Sequence, residues 1–253
     1  WDNADTFTAR AGTVTFDGTA LQTVSSGNSP FYGFNVTNTS SAGVRFSGNA
    51  TRSDWYNGNW LYRAKITVAN AKVASDLSGF PVYLDLSVMG AGHDFWSHVK
   101  PDGGDVVVTS ANGTTRLPVE VVSIDTGNKN GEVYFKGDLT GAVDTDFYIY
   151  YGNAAASQPV ATDTYGRNNV WDSNYKTVLH LHDDFNDSTV NANNATNNGT
   201  TDITGKLGDG QDFNGTTAYL TVADHASLDL ADSLSLSCWV FADGSGSAGL
   251  YKR

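Results

Sequence analysis

Apolar and polar residues alternate with period two along much of this chain, the signature of strands with one buried face. Gly12-Thr13-Val14-Thr15-Phe16 alternates, Asp17-Gly18 turns the chain, and Leu21-Gln22-Thr23-Val24 follows. Phe31 to Val36 and Val44-Arg45-Phe46 continue the pattern. Between residues 60 and 172 the same reading predicts strands over 62–68, 80–86, 106–110, 117–124, 132–136 and 146–151, each bounded by Gly, Asp or Asn. One helical turn is expected at Phe95-Trp96-Ser97-His98, capped by Asp94 with both aromatics inward. Short strands joined by tight turns predict a sandwich.

Composition points the same way. Glu120 and Glu132 are the only glutamates and Met89 the only methionine, while Thr, Val, Ser, Gly, Asn and Asp dominate. The fold class expected is all-β. A net charge of −12, with no basic stripe, excludes nucleic acid as a natural partner. The same aspartates are raw material for calcium ligation, because hard cations take carboxylate and amide oxygens. Cys238 stands alone, so no intrachain disulfide can form. No apolar run is long enough to span a membrane, and residues 1–5 look like neither an initiator nor a signal peptide. The chain therefore reads as mature or internal sequence of an extracellular protein.

Two stretches resemble known families. Trp1, Asn3, Thr6-Phe7, Gly12 to Thr19, Gln22 to Val24 and Phe31 to Val36 resemble a repeat of long bacterial and archaeal surface proteins. Such units stack, because one alone cannot bury its apolar face. The central stretch is similar to a family of unknown-function domains of secreted and cell-surface proteins. The matching residues are Tyr62-Arg63, Ile66-Thr67-Val68, Phe80-Pro81-Val82, Asp94-Phe95-Trp96, Asp102-Gly103-Gly104-Asp105-Val106, Leu117-Pro118-Val119-Glu120, Tyr148 to Asn153 and Val170-Trp171-Asp172. That resemblance implies no catalytic residues. It does imply a following concanavalin-A-like or laminin-G-like jelly roll, whose start is matched by 178–184, 187–189, 205–208, 213–216, 219–220, 227–228 and 234–240. A jelly roll needs eight strands, on the order of 100 residues or more, so this one looks incomplete. The expectation is tandem β-sandwich modules: a surface β-repeat over 1–52, a sandwich over 53–174 and the first part of a jelly roll over 175–253.

Candidate chemistry is sparse. Asp183, Asp184, Asn186, Asp187 and Asn191 cluster within nine residues and could offer oxygens to Ca²⁺; the alternative is a polar turn. His180 and His182 alternate on an expected strand and so face one side, as metal ligands or as a packed pair, with Asp183 or His225 able to approach. His93 and His98 are expected at the surface or in caps. Glycoside hydrolysis needs paired carboxylates, and the jelly-roll stretch has no glutamate, so an enzyme is not expected. Trp55, Tyr56 and Trp60, beside Asn57 and Asn59, could stack on a sugar or pack a hinge. Asn-x-Ser/Thr acceptors stand at Asn35, Asn38, Asn49, Asn112, Asn186, Asn194, Asn198 and Asn214, which suits a secreted glycoprotein. The function expected is a non-catalytic structural or adhesive segment of a surface filament, sheath or stalk, with glycans or further copies as partners. The alternative is a carbohydrate-binding module of a secreted polysaccharide-degrading enzyme.

Overall fold

A computed structural model describes residues 13–17, 19–20, 22–24, 33–36, 44–46, 54–230 and 233–241. Among them the chain is mostly β, its larger sheets antiparallel, with one short α-helical turn and four 3-10 turns.

The N-terminal strands pair differently from the expected hairpin. β1 (Thr13–Phe16) does not pair with β2 (Gln22–Val24). Instead β1 runs parallel to β3 (Gly33–Val36), and β2 runs parallel to β4 (Val44–Phe46). Parallel neighbours need a crossover, and the intervening strand supplies it. β1 and β2 therefore belong to separate two-stranded sheets. The remaining expectations for 1–12, 25–32, 37–43 and 47–53, including Asn38 and Asn49 as acceptors, lie outside the described residues.

The centre is a two-layer sandwich. One sheet has the order β6 (Leu77–Asp85), β10 (Asn130–Leu139), β9 (Val119–Asp125). The other has the order β5 (Tyr62–Val68), β11 (Thr145–Tyr151), β7 (Val107–Ser110), β8 (Arg116–Leu117). The strand expected over 117–124 is divided at Pro118, which has no N–H to give a ladder. β8 stays with β7 while β9 crosses to β10 in the opposite sheet. Pro81 sits within β6, tolerated because β6 is an edge strand.

Inward positions of both sheets close the core. Val82, Leu84, Val119, Val133 and Phe135 face Val108, Phe147, Ile149 and Tyr151, and the Phe135 and Phe147 rings meet edge to face at 4.8 Å. Helix α1 (Phe95–His98) plugs one end with Phe95 and Trp96, as its apolar pair requires. Its cap differs from the expectation. The Asp94 carboxylate accepts instead from the Tyr151 hydroxyl at 2.6 Å, and His93 Nδ1 accepts from Phe95 N at 3.0 Å. His98 Nδ1 lies 2.8 Å from Asp94 O, and its ring packs on Tyr62.

Beyond the sandwich the described strands are short. β12 (Ala195–Asn198) pairs with β15 (Tyr219–Val222), and β13 (Thr201–Thr204) with β14 (Asp209–Asp212), all antiparallel. The stretch 234–240 is not assigned to a strand, and Leu236, Trp239 and Val240 are exposed.

Candidate functional site

Alternation on the three-stranded sheet sends one set of side chains into the core and the other outward. Tyr83 and Asp85 of β6, Glu132 and Tyr134 of β10 and Glu120 of β9 belong to the outward set. On most sandwiches such a face is wet. Here both glutamates are buried, Glu120 at 4% exposure and Glu132 at 5%. What covers them is chain from beyond residue 164, which brings two histidines and two aspartates to the same face.

Glu120 is fully engaged. Its Oε2 accepts from Trp171 Nε1 at 2.8 Å and its Oε1 from the Ser188 hydroxyl. His180 Nε2 lies 3.2 Å from Oε2, an ion-pair distance, but out of line for a hydrogen bond. The rings of Tyr134 and Trp171 flank His180 at 4.7 and 5.9 Å. Val119 N reaches Tyr165 O at 3.1 Å and ties the same covering segment to β9. Beside this junction lies a cleft of about 330 Å³, lined by Glu120, Gln158, Arg167, His180, His182 and Ser188 among others.

Glu132 is the opposite case. No described residue hydrogen-bonds to its carboxylate or pairs with it as an ion. Gly208 stands directly over it: a Cβ there would occupy the position of Glu132 Oε1. Gly208 has φ +53°, so the tight approach and the backbone both call for glycine. Burial pushes the Glu132 carboxyl above the usual carboxylate range; His180 and His182 oppose this, while Asp209 and Asp85 add to it. Tyr83 is pushed up to about 12, first by burial and then by the charges of Glu132 and Asp85.

His180 and His182 do not share a strand face as expected. Leu181 adopts φ +59° and Asp183 φ +54°, which breaks the alternation and turns the two rings to different neighbours. His180 goes to Glu120, and His182 sits between Asp209 and Asp183. Its Nδ1 is 3.0 Å from Asp209 Oδ2, and its Nε2 is 3.4 Å from Asp183 Oδ2. One ligand atom from each of His182, Asp183 and Asp209 lies within 4.8 Å of the others. His225 is elsewhere, capping the 3-10 turn at Ala226–Leu228 through Ser227 N.

The five residues of the 183–191 cluster are not brought together on one point. Asp187 is buried, and its carboxylate accepts from Val178 N, Thr189 N, the Thr189 hydroxyl and Asn193 N at 2.8–3.0 Å. Those four bonds use the acceptor capacity of a carboxylate, leaving nothing to offer a cation. Asp184 closes a turn with Asn186 through backbone and side chain. Asn191 donates to Tyr175 O and Lys176 O. Asp183 alone of the five joins the histidine group.

Trp55, Tyr56 and Trp60 pack on one another and on the sandwich. Trp55 Nε1 donates to Trp60 O, Trp60 Nε1 to Asp105 O, and Tyr56 meets Trp60 edge on at 5.1 Å. Arg63 lies over the Trp55 ring and pairs with Asp54 at 2.8 Å. Trp60 nevertheless borders an open groove of about 620 Å³ with Asn59, Leu61, Asn153 and Ser157. The motifs that carried the central resemblance prove to be mutually supporting. Asp105, with no exposed surface, accepts from Lys100 N, Gly152 N and Asn153 N.

Of the acceptor asparagines, Asn112, Asn186, Asn194 and Asn214 are exposed and Asn198 is half-buried. Asn35 lies in β3. Sequence reasoning missed the meeting of Glu120, Glu132, His180, His182 and Asp209. The available signal was that the only two glutamates sit on consecutive expected strands, 117–124 and 132–136. No known protein family, curated protein or solved structure matches this chain.

Proposed function

We propose that this chain is a non-catalytic structural or adhesive segment of a modular extracellular surface protein, its sandwich serving as a rigid spacer between a stacking β-repeat and a lectin-like jelly roll. The observation that carries this reading is the engagement of Glu120. Its carboxylate is buried and bound by Trp171 and Ser188, so it fastens the chain that follows to the sandwich and is not offered to a substrate. Glu132 is buried against Gly208, so it too is covered by chain. Parallel pairing of β1 with β3 and β2 with β4 suits a unit that stacks on further copies. The exposed acceptor asparagines suit a glycoprotein.

The test combines assembly with activity. The purified chain, concentrated and viewed by negative-stain electron microscopy, is expected to form end-to-end oligomers and to leave a panel of polysaccharides uncut. Hydrolysis that disappears in Glu120→Gln would reject the reading. A second reading, carbohydrate binding, is favoured by the open groove lined by Trp60 together with Asn59 and Asn153. A glycan that quenches tryptophan fluorescence in the native chain but not in Trp60→Phe would select it.

A further inference from the structure

We propose that His182, Asp183 and Asp209 form a binding site for a first-row divalent transition-metal ion of the zinc class. Three potential ligands, two from the 181–183 segment and one from the start of β14, already converge within 4.8 Å. An exposed acidic pair alone would mean little, but the ring between the two aspartates holds a buried nitrogen without a hydrogen bond. A buried polar atom without a partner is costly unless a ligand meets it.

The donor set selects the ion. One imidazole nitrogen with two carboxylates suits zinc, cobalt or manganese, whereas calcium takes an all-oxygen shell. His182 turns one nitrogen toward each aspartate, Nδ1 toward Asp209 and Nε2 toward Asp183, so an ion held by a carboxylate meets the ring on either side. Its Nδ1 is buried and makes no hydrogen bond despite lying beside Asp209, as a ring awaiting a different partner would. The ion would arrive from the solvent side, past exposed Asp183, and would join the 181–183 loop to the β13–β14 hairpin.

The probes are Zn²⁺ alone, with Co²⁺ as its coloured substitute, added to the full chain free of any affinity tag. Binding of one ion per chain is expected, with a raised melting temperature and a visible Co²⁺ absorption of four- or five-coordinate intensity. Asp209→Asn should weaken binding by about tenfold or more, as should the exposed and structurally mild Asp183→Asn. Asp184→Asn should leave it unchanged. The proposal is overturned if Zn²⁺ does not bind at millimolar concentration, or if affinity is the same in Asp183→Asn and Asp209→Asn. It is equally overturned if Ca²⁺ binds this site as tightly as Zn²⁺. Circular dichroism of each metal-free variant separates a lost ligand from a lost fold.

Discussion

The sandwich between residues 60 and 170 and the chain from 176 to 230 are built on opposite principles. The first region buries mostly apolar side chains, Val82, Phe135 and Ile149 among them, with Asp105, Thr109, Glu120 and Glu132 as the polar exceptions. Among the described residues of the second, the buried ones are Asp187, Ser188, Thr189, Asn193 and Thr200, all polar, while Val190, Ile203 and Tyr219 are exposed. One region folds by removing hydrocarbon from water; the other by satisfying a dense set of hydrogen bonds around a few side chains. A hydrophobic core tolerates small rearrangement and is stable alone. A polar network loses much when one member goes, and it gains from an outside anchor. The sandwich provides that anchor through Glu120.

The largest effect should come from the apolar side. Phe135→Ala removes a ring with no exposed surface that bridges the two sheets, and is expected to cost about 3–5 kcal/mol in urea unfolding. A cost below about 1 kcal/mol would show that the core is not where the stability lies. Next is the polar hub. Asp187→Ala strands four buried or half-buried donors, and a loss of about 3 kcal/mol is expected. Amide exchange should speed up between 176 and 200 while β10 and β11 stay protected. If β10 and β11 open equally, the two regions are one cooperative unit and the contrast fails.

Glu120→Gln keeps the shape of the junction but weakens two charge-assisted bonds, for roughly 1–2 kcal/mol. Trp171 fluorescence should shift toward that of a solvated indole before the sandwich unfolds. A single transition with unchanged emission would count against anchoring. The smallest effect is acid sensitivity of the sandwich rim. The Thr140 hydroxyl and Gly141 N hold Asp76 below the usual carboxylate range, the Asn128 backbone and side chain do so for Asp125, and Thr67 and Lys65 for Asp146. Carboxyls lowered by folding contribute stability that is present above the unfolded pKa, about 4, and is lost as pH falls through the folded values. Melting temperature should therefore decline below about pH 4, and less steeply in Asp76→Asn. An identical slope in that variant would remove Asp76 from the account.

The same contrast explains what could be read from sequence. Strand periods and turn residues located β5, β6, β7, β9, β10 and β11 and the helical turn at 95–98, because local alternation and burial agree there. The break at Pro118 was missed, though the residue that causes it was in view. In the polar region neither period nor propensity distinguishes a hub from a surface turn. Asp183, Asp184 and Asp187 read alike in sequence, yet one is exposed beside His182, one closes a turn and one is the buried centre. Partners such as Asp209 for His182 and Ser188 for Glu120 are distant along the chain, and only the fold selects them. Parallel pairing at the N-terminus is hidden for the same reason, since a short alternating run does not state its direction.

All but two of the 27 acidic residues are aspartate, and the two glutamates share the covered face of one sheet, Glu120 opposite Tyr134 and Glu132 two residues along β10. Their common property is reach. One more methylene carries the carboxylate about 1.5 Å further from its strand, far enough to meet an overlying layer that a shorter acid would leave out of touch. Glu120 and Glu132 thus act as rulers for the separation between sheet and cover. Glu120→Asp, a change that preserves charge and chemistry, should damage the junction more than Glu120→Gln, which preserves length.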